Sequence, residues 1–183
     1  RVAWNDPALI KKAYDAGAVA VMVPQVDNAE QAAQAVKYAK YPPDGNRGLS
    51  PMWTRTAGED WNHVLKTANE ETVLLVQIES QEAYDNIDEI KAVPGIDSLF
   101  FGPLDMSAAV GRIGEPLSEE VQSLMKAFPS KLEGTGIVPA TTLVNLDEIK
   151  EKLDWGYRYM NVGNALAYGC GVVQSHLDEL RRR

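Results

Sequence analysis

Residues 72–79 read Thr-Val-Leu-Leu-Val-Gln-Ile-Glu, and this stretch decides the class of fold. Its four consecutive apolar residues, Val73 to Val76, show no alternation with polar residues, which is typical of a strand buried on both faces. Ser80 then begins a helical stretch, Gln81 to Val93, which a Pro-Gly pair at 94–95 ends. A buried strand that leads into a helix is the repeating unit of parallel α/β folds, so we expect a parallel sheet covered by helices.

The same alternation continues on both sides of this segment. Strands are predicted at Arg1–Ala3, Val19–Val23, Thr72–Ile78, Ser98–Phe101, Gly136–Ala140 and Tyr157–Val162. Helices are predicted at 7–16, 29–40, 59–69, 81–93, 118–126, 146–153 and 172–182. An eight-unit (β/α) barrel takes about 250 residues. The 183 residues therefore fit one domain, either the last three quarters of such a barrel or a complete, open, doubly wound sheet.

Composition argues against two classes of partner. The chain has 18 Lys and Arg against 26 Asp and Glu, a formal charge of −8, which predicts no binding to nucleic acid. The longest uncharged apolar run, Ala16 to Pro24, is well short of the roughly 20 residues of a membrane helix. The single cysteine, Cys170, cannot form an internal disulfide, and no signal-peptide pattern opens the sequence, so we expect a cytoplasmic protein.

Two carboxylates stand where predicted strands end. Glu79 follows the strand of residues 72–78, and Asp105 follows the next strand, after Gly102 and Pro103. Neighbouring parallel strands are about 4.8 Å apart, so both side chains could reach one cation. Carboxylates without a neighbouring His or Cys suit Mg²⁺ or Mn²⁺. The alternative is that each carboxylate only caps the helix that follows it.

Other candidate groups carry weaker signals. The backbone amides of Leu104 and Asp105, at the start of a helix, could bind a carboxylate or phosphate, as could Arg47. No lysine interrupts an apolar strand, which argues against imine chemistry. We expect His63 and His176 at the surface and Cys170 in packing near the last helix.

Taken together, several spaced motifs resemble the HpcH/HpaI class II pyruvate aldolases over essentially the whole chain. The motifs are Gln77-Ile78-Glu79, Gly102-Pro103-Leu104-Asp105-Met106-Ser107, the opening at residues 1–7, Val21-Met22-Val23-Pro24, the Tyr-Pro-Pro-Asp-Gly-Asn-Arg-Gly run at 41–48 and Gly156-Tyr157-Arg158. The resemblance implies a (β/α)₈ TIM barrel, here without its first two βα units. It also implies metal-dependent cleavage or formation of 4-hydroxy-2-oxo acids, giving pyruvate and an aldehyde through a metal-bound pyruvate enolate.

The resemblance assigns roles to individual residues. Glu79 and Asp105 are implied as ligands of a divalent metal cation, Mg²⁺ or Mn²⁺ first, with Co²⁺ and Zn²⁺ as further candidates. Gln77 and the backbone at Leu104 are implied to bind the 2-oxo acid substrate. Arg1 matches the arginine that binds and stabilises the enolate, and Asp15 matches the acid that raises the basicity of the catalytic histidine.

One departure of the sequence from the family concerns the catalytic base. The family's histidine base lies upstream of the residue that matches Arg1, and neither His63 nor His176 occupies its position. We therefore expect the chain to be a fragment, or a catalytically incomplete barrel that serves as a binding or assembly module. Oxaloacetate decarboxylation, through the same enolate, is an alternative reaction. The family also implies a homo-oligomer, a dimer or hexamer, with residues 165–183 as the candidate interface.

Overall fold

The computed structural model describes residues 1–49, 58, 60–143, 145–163 and 165–182. Its sheet contains five parallel strands in sequence order: β1 (Ala20–Val23), β2 (Val73–Ile78), β3 (Ser98–Phe101), β4 (Val138–Thr142) and β5 (Tyr159–Asn161). The strands curl into half a barrel.

The helices precede or follow these strands along the chain. They are α1 (Pro7–Asp15), α2 (Ala29–Ala39), α3 (Trp61–Glu71), α4 (Gln81–Asp85), α5 (Ile87–Lys91), α6 (Pro103–Ala109), α7 (Glu119–Ala127), α8 (Ile149–Trp155) and α9 (Ala165–Arg181). Two short 3-10 turns lie at Pro129–Leu132 and Leu146–Glu148. None of the described helices combines the length and apolar character that crossing a bilayer requires.

Three polar side chains cap the amino ends of predicted helices. Asp6 accepts hydrogen bonds from the first amides of α1, Asn28 from the amide of Gln31, and Ser80 from the amide of Ala83. Each cap supplies an acceptor for amides that have no partner within the helix. The sequence therefore identified these helix starts through residue chemistry and not only through periodicity.

The two faces of the sheet are covered differently. Leu74, Val76 and Ile78 of β2 belong to a large cluster that includes helix residues such as Ile10 and Ile87. The alternate residues point the other way, where Leu75 joins Phe100 and Ala140 in a small separate cluster. This second face is the concave side of the half-barrel, and Gln77 lies on it because side chains alternate along a strand.

Several predictions of elements are wrong in detail. The stub Arg1–Ala3 is not a strand, although the Val2 amide donates to the Met22 carbonyl at 3.0 Å, so a single hydrogen bond attaches it to the sheet. The helix predicted at 81–93 breaks at Asn86, whose side chain donates to the Asp27 carbonyl at 2.9 Å. Helix α6 begins at Pro103, where a helix start was expected, whereas the strand predicted at 136–140 begins two residues later, at Val138.

The last helix differs most from expectation. It begins at Ala165, before the predicted start at Val172, and it includes two glycines that lower helix propensity and so obscured the pattern. Cys170 lies on this helix and is exposed, so the prediction that it packs near the last helix is wrong. His63 and His176 are exposed, as predicted.

Candidate active site

Glu79 is the buried carboxylate at the carboxyl end of β2. Only 5% of the residue is exposed. Its Oε1 accepts a hydrogen bond of 2.9 Å from the backbone amide of Gln25, in the loop after β1. Its Oε2 is buried and has no hydrogen-bond partner among the described residues. One oxygen is therefore fixed, and the other is left available for a ligand.

Asp105 reaches the same edge of the sheet from the next strand. The Gly102 amide donates to the Ile78 carbonyl at 3.0 Å, which sets the start of α6 beside Glu79, and Asp105 lies in the first turn of that helix. A Cβ atom at residue 102 would lie 2.9 Å from the Glu79 Cβ and 3.0 Å from its Oε2. The close approach of the two segments therefore requires glycine.

The protonation of Glu79 reflects its neighbours. Burial is the largest effect and raises the pKa of Glu79 above the usual carboxyl value. The Asp105 carboxylate is close enough to Glu79 to raise its pKa as well, whereas the Gln25 amide and Arg1 lower it. The net effect is a raised pKa. Two carboxylates and an arginine therefore lie within electrostatic reach of one another at this edge, and the roles that the resemblance implies for them stay predictions.

Gln77 and Leu104 complete the predicted set on this side of the sheet. Gln77 is buried on the concave face, two residues before Glu79, and its Oε1 has no hydrogen-bond partner among the described residues. Leu104 is the second residue of α6 and is 60% exposed. The amides of this first turn have no acceptor within the helix. A small anionic ligand beside Glu79 would meet an amide side chain and free backbone donors.

Asp15 lies at the opposite edge of the sheet. It is the last residue of α1, and the preceding Tyr14 hydroxyl donates to the carbonyl of Val73, where β2 begins. Six residues of β2 separate that edge from Glu79, about 20 Å of strand. The Asp15 carboxylate pairs there with Lys11 and with the Arg47 Nη2, at 2.6 Å from the latter. The structure does not bring Asp15 together with the other predicted site residues.

Sequence reasoning missed the contribution of Gln25. Its amide is a backbone donor, which residue type does not reveal, and its φ of 51° is the one positive φ at a non-glycine residue in the described segments. The sequence predicts a strand that ends at Val23 and a helix that starts at residue 29, with no indication of what the loop between them binds. The tie between this loop and Glu79 depends on tertiary packing.

The donor set fits a hard divalent cation. Within the described residues, no group of three or more His, Cys, Asp and Glu side chains could hold a metal. A site built on Glu79 and Asp105 therefore offers two carboxylates, and other coordination positions stay open. Mg²⁺ and Mn²⁺ are commonly bound in this way, with water and substrate as the remaining ligands. The partnerless Oε2 of Glu79 is the atom that such an ion would satisfy.

Comparison with known proteins is consistent with this geometry. The chain is 37% identical over 183 residues to 2-dehydro-3,6-dideoxy-6-sulfogluconate aldolase of Pseudomonas putida, covering all of this chain and 72% of that protein. It is 37% identical over 166 residues to 4-hydroxy-2-oxo-heptane-1,7-dioate aldolase of Escherichia coli, covering 89% of this chain and 63% of that enzyme. The chain thus spans about two thirds of these relatives.

A solved structure matches the fold. The crystal structure of an HpcH/HpaI aldolase/citrate lyase family protein from Burkholderia cenocepacia J2315 superimposes with a TM-score of 0.86 at 30% identity, covering 99% of this chain and 72% of that one. The prediction of a TIM-barrel fold is therefore confirmed, in the partial form that the five strands represent. The sequence profile of one family matches residues 1–167. The chain belongs to the HpcH/HpaI aldolase/citrate lyase family.

Proposed function

We propose that this chain carries the metal-binding and 2-oxo-acid-binding part of a class II aldolase that cleaves or forms 4-hydroxy-2-oxo acids, with pyruvate and an aldehyde as products. One observation carries the proposal: the buried Oε2 of Glu79 has no hydrogen-bond partner among the described residues, and the Asp105 carboxylate is close enough to raise the pKa of Glu79. The names of the aligned aldolases support the same reaction class.

Glu79 and Asp105 would hold a divalent cation, Mg²⁺ or Mn²⁺. Such a cation supplies Lewis-acid polarisation of the substrate's 2-oxo group. The protein's own contribution is to hold the two carboxylates in place, through the Gln25 amide on Glu79 and the short approach at Gly102. Without a cation, the two negatively charged carboxylates would repel each other. A bound cation therefore also relieves this unfavourable interaction.

Gln77, Leu104 and Arg1 would bind the oxo acid. The Gln77 amide is buried on the concave face, and the Leu104 amide is a free donor at the start of α6. Arg1 lies close enough to influence the pKa of Glu79, so its charge reaches the site. A guanidinium there would stabilise negative charge that develops on the substrate oxygen, and loss of one such contact typically costs on the order of 10²- to 10³-fold in rate.

The proton transfer of an aldol reaction is not assigned to a described residue. His63 is exposed and faces Glu71 at 3.8 Å, and His176 is exposed on α9. The role that the family resemblance implies for Asp15 stays a prediction, since its carboxylate is paired with Arg47 at the opposite edge of the sheet.

A homo-oligomer, dimer or hexamer, is part of the proposal. Helix α9 exposes apolar side chains at successive intervals of four, three, four and three residues: Leu166, Cys170, Val173, Leu177 and Leu180. That spacing places them on one stripe of the helix. Contact with a second copy would remove this stripe from water.

A coupled assay tests the proposed reaction. The chain is incubated with Mn²⁺ and a 4-hydroxy-2-oxo acid, pyruvate release is followed through lactate dehydrogenase, and oxaloacetate serves as a second substrate that also gives pyruvate. We expect release of pyruvate and of an aldehyde from the hydroxy-oxo acid, reduced in Arg1→Ala. Binding of pyruvate or oxalate without turnover would instead favour a binding module, and turnover of oxaloacetate alone a decarboxylase.

A further inference from the structure

The loop after β1 is tied to the loop after β2 at two successive points. The first is the hydrogen bond from the Gln25 amide to Glu79 Oε1. The second lies further along both loops. The hydroxyl of Ser80, the residue after Glu79, donates to the carboxylate of Asp27, two residues after Gln25. These two connections lie side by side, so neither loop can shift away from the other without breaking both.

Further hydrogen bonds fix the Asp27 side of this connection. The Asp27 amide donates to Gln31 Oε1 at 2.8 Å, and its carbonyl accepts from Asn86 Nδ2 at 2.9 Å. Ser80 in turn accepts from the Ala83 amide at 3.0 Å, which caps α4. Asp27 is therefore held through three groups, its amide, its carbonyl and its carboxylate.

The backbone of Gln25 requires such support. Its φ of 51° lies in the left-handed region, which is uncommon for residues other than glycine, asparagine and aspartate. Conformations of this kind persist where surrounding contacts determine them. In this loop, the conformation directs the Gln25 amide at Glu79, and two residues later the Asp27–Ser80 contact joins the same loop to the residue after Glu79.

We infer that Asp27 is a positioning residue. Its contact with Ser80 holds the Gln25 amide on Glu79 Oε1. Glu79 Oε2 is thereby directed toward Asp105, and this arrangement sets the affinity of the cation site. The inference rests on the proposed function, since it assumes that Glu79 and Asp105 bind a cation. Outer residues that orient metal ligands typically change affinity by 10- to 100-fold when removed.

The test measures Mn²⁺ affinity by electron paramagnetic resonance of the free ion, without substrate or turnover. Asp27→Ala removes the acceptor for Ser80 and leaves Ser80 free to cap α4. We expect a loss of about tenfold or more in Mn²⁺ affinity. Asp27→Asn keeps an oxygen that can accept the Ser80 hydroxyl, so it should retain most of the affinity.

Asp85→Ala is the matched control. Asp85 is an exposed acid on α4, and its removal changes the net charge equally without touching the connection between the loops. Unchanged affinity in Asp27→Ala, or equal losses in Asp27→Ala and Asp85→Ala, would overturn the positioning role. The proposed function is tested separately, because wild-type binding that Glu79→Gln abolishes would support the cation site even where Asp27→Ala has no effect. Absence of Mn²⁺ binding by the wild type would overturn both.

Discussion

At the scale of single residues, Glu79 combines features that oppose stability. It is buried, it lies near a second carboxylate, and one of its oxygens has no partner. Burial of an ionised group without compensation is unfavourable, so natural proteins retain such groups mainly at functional sites. The cost that Glu79 imposes on the metal-free chain is itself measurable.

We predict that Glu79→Gln stabilises the metal-free chain at pH 7. The fold raises the pKa of Glu79, mainly by burial, so its contribution to stability is greatest when it is protonated and is lost as pH rises through the raised pKa. Glutamine keeps an oxygen for the Gln25 amide and carries no charge. Thermal unfolding in the presence of a chelator should give a higher midpoint for the variant, with the difference shrinking toward about pH 4. A less stable variant at pH 7 would contradict this prediction.

Arg47 gives a second prediction at this scale. Its guanidinium lies over the rings of Tyr14 and Tyr41, at 4.9 and 4.5 Å, and pairs with Asp15 out of contact with water. Arg47→Met should lower the free energy of unfolding by about 3 kcal/mol, because the carboxylate loses a buried partner. Urea denaturation measures this change.

Arg112→Met provides the control for Arg47. Arg112 pairs with Glu120 at 2.6 Å, but the two side chains are 49% and 44% exposed. Exposed pairs contribute little to stability. We therefore expect almost no change in the free energy of unfolding of this variant. Equal losses in the two variants would show that burial does not increase the contribution of the Arg47 pair.

Residue identity predicted part of the site and missed part of it. Glu79 and Asp105 were found because carboxylates that follow an apolar strand stand out in the sequence, and Gln77 was found only through the family resemblance. Gln25 acts through its backbone amide, and Asp27 through a contact with a residue more than fifty positions away. Neither property is encoded in a local pattern, so sequence reasoning could not find them.

At the scale of elements, four rings connect the sheet to the helices around it. Phe101 of β3 packs edge-on against Tyr84 at 6.3 Å and against Phe128 at 5.5 Å, and Phe128 stacks on Tyr157 at 6.2 Å. The Tyr157 hydroxyl donates to the Met125 carbonyl at 2.8 Å. These rings join β3, α4, α7 and the turn before β5.

We predict that Phe128→Ala lowers the free energy of unfolding by about 3 to 5 kcal/mol, since it removes a fully buried ring at the centre of this group. Ile113→Ala is the control, because Ile113 is 82% exposed. It should change stability by no more than about 0.5 kcal/mol. Comparable losses in both variants, measured by chemical denaturation, would contradict the central position given to Phe128.

The elements themselves were predictable where the signal was local. The strand at 98–101 was predicted at its observed boundaries, because four residues buried on both faces interrupt a polar sequence. The helix at 81–93 was predicted as continuous, because its periodicity extends through Asn86, whereas a long-range bond to Asp27 breaks it. A long-range contact therefore accounts for this error, whereas the late predicted start of α9 has a local cause, the two glycines within that helix.

At the scale of the whole molecule, five strands and their helices form half of a barrel, with the candidate site at the carboxyl ends of two central strands. This is the side of parallel α/β folds where ligands bind. Periodicity alone left an open sheet and a barrel as alternatives, since both are built from the same βα unit. Only the motifs of the family resemblance distinguished them.

Association of copies of the chain is the prediction that belongs to this scale. Val173→Asp places a charge in the exposed apolar stripe of α9 and should shift the chain toward smaller species in sedimentation velocity experiments. Ser175→Asp adds the same charge off the stripe and should leave the distribution unchanged. A wild-type chain that sediments as a monomer at all concentrations would contradict the proposed oligomer.

The central claim is that Glu79 and Asp105 together bind one divalent cation, and a Mn²⁺ titration of the wild type, Glu79→Gln and Asp105→Asn tests it most directly. The account predicts one Mn²⁺ per wild-type chain and losses in each variant larger than the 10- to 100-fold typical of outer residues. Glu82→Gln, an exposed acid of α4, should bind as the wild type does. A wild type that does not bind Mn²⁺, or variants that bind it equally well, would contradict the claim.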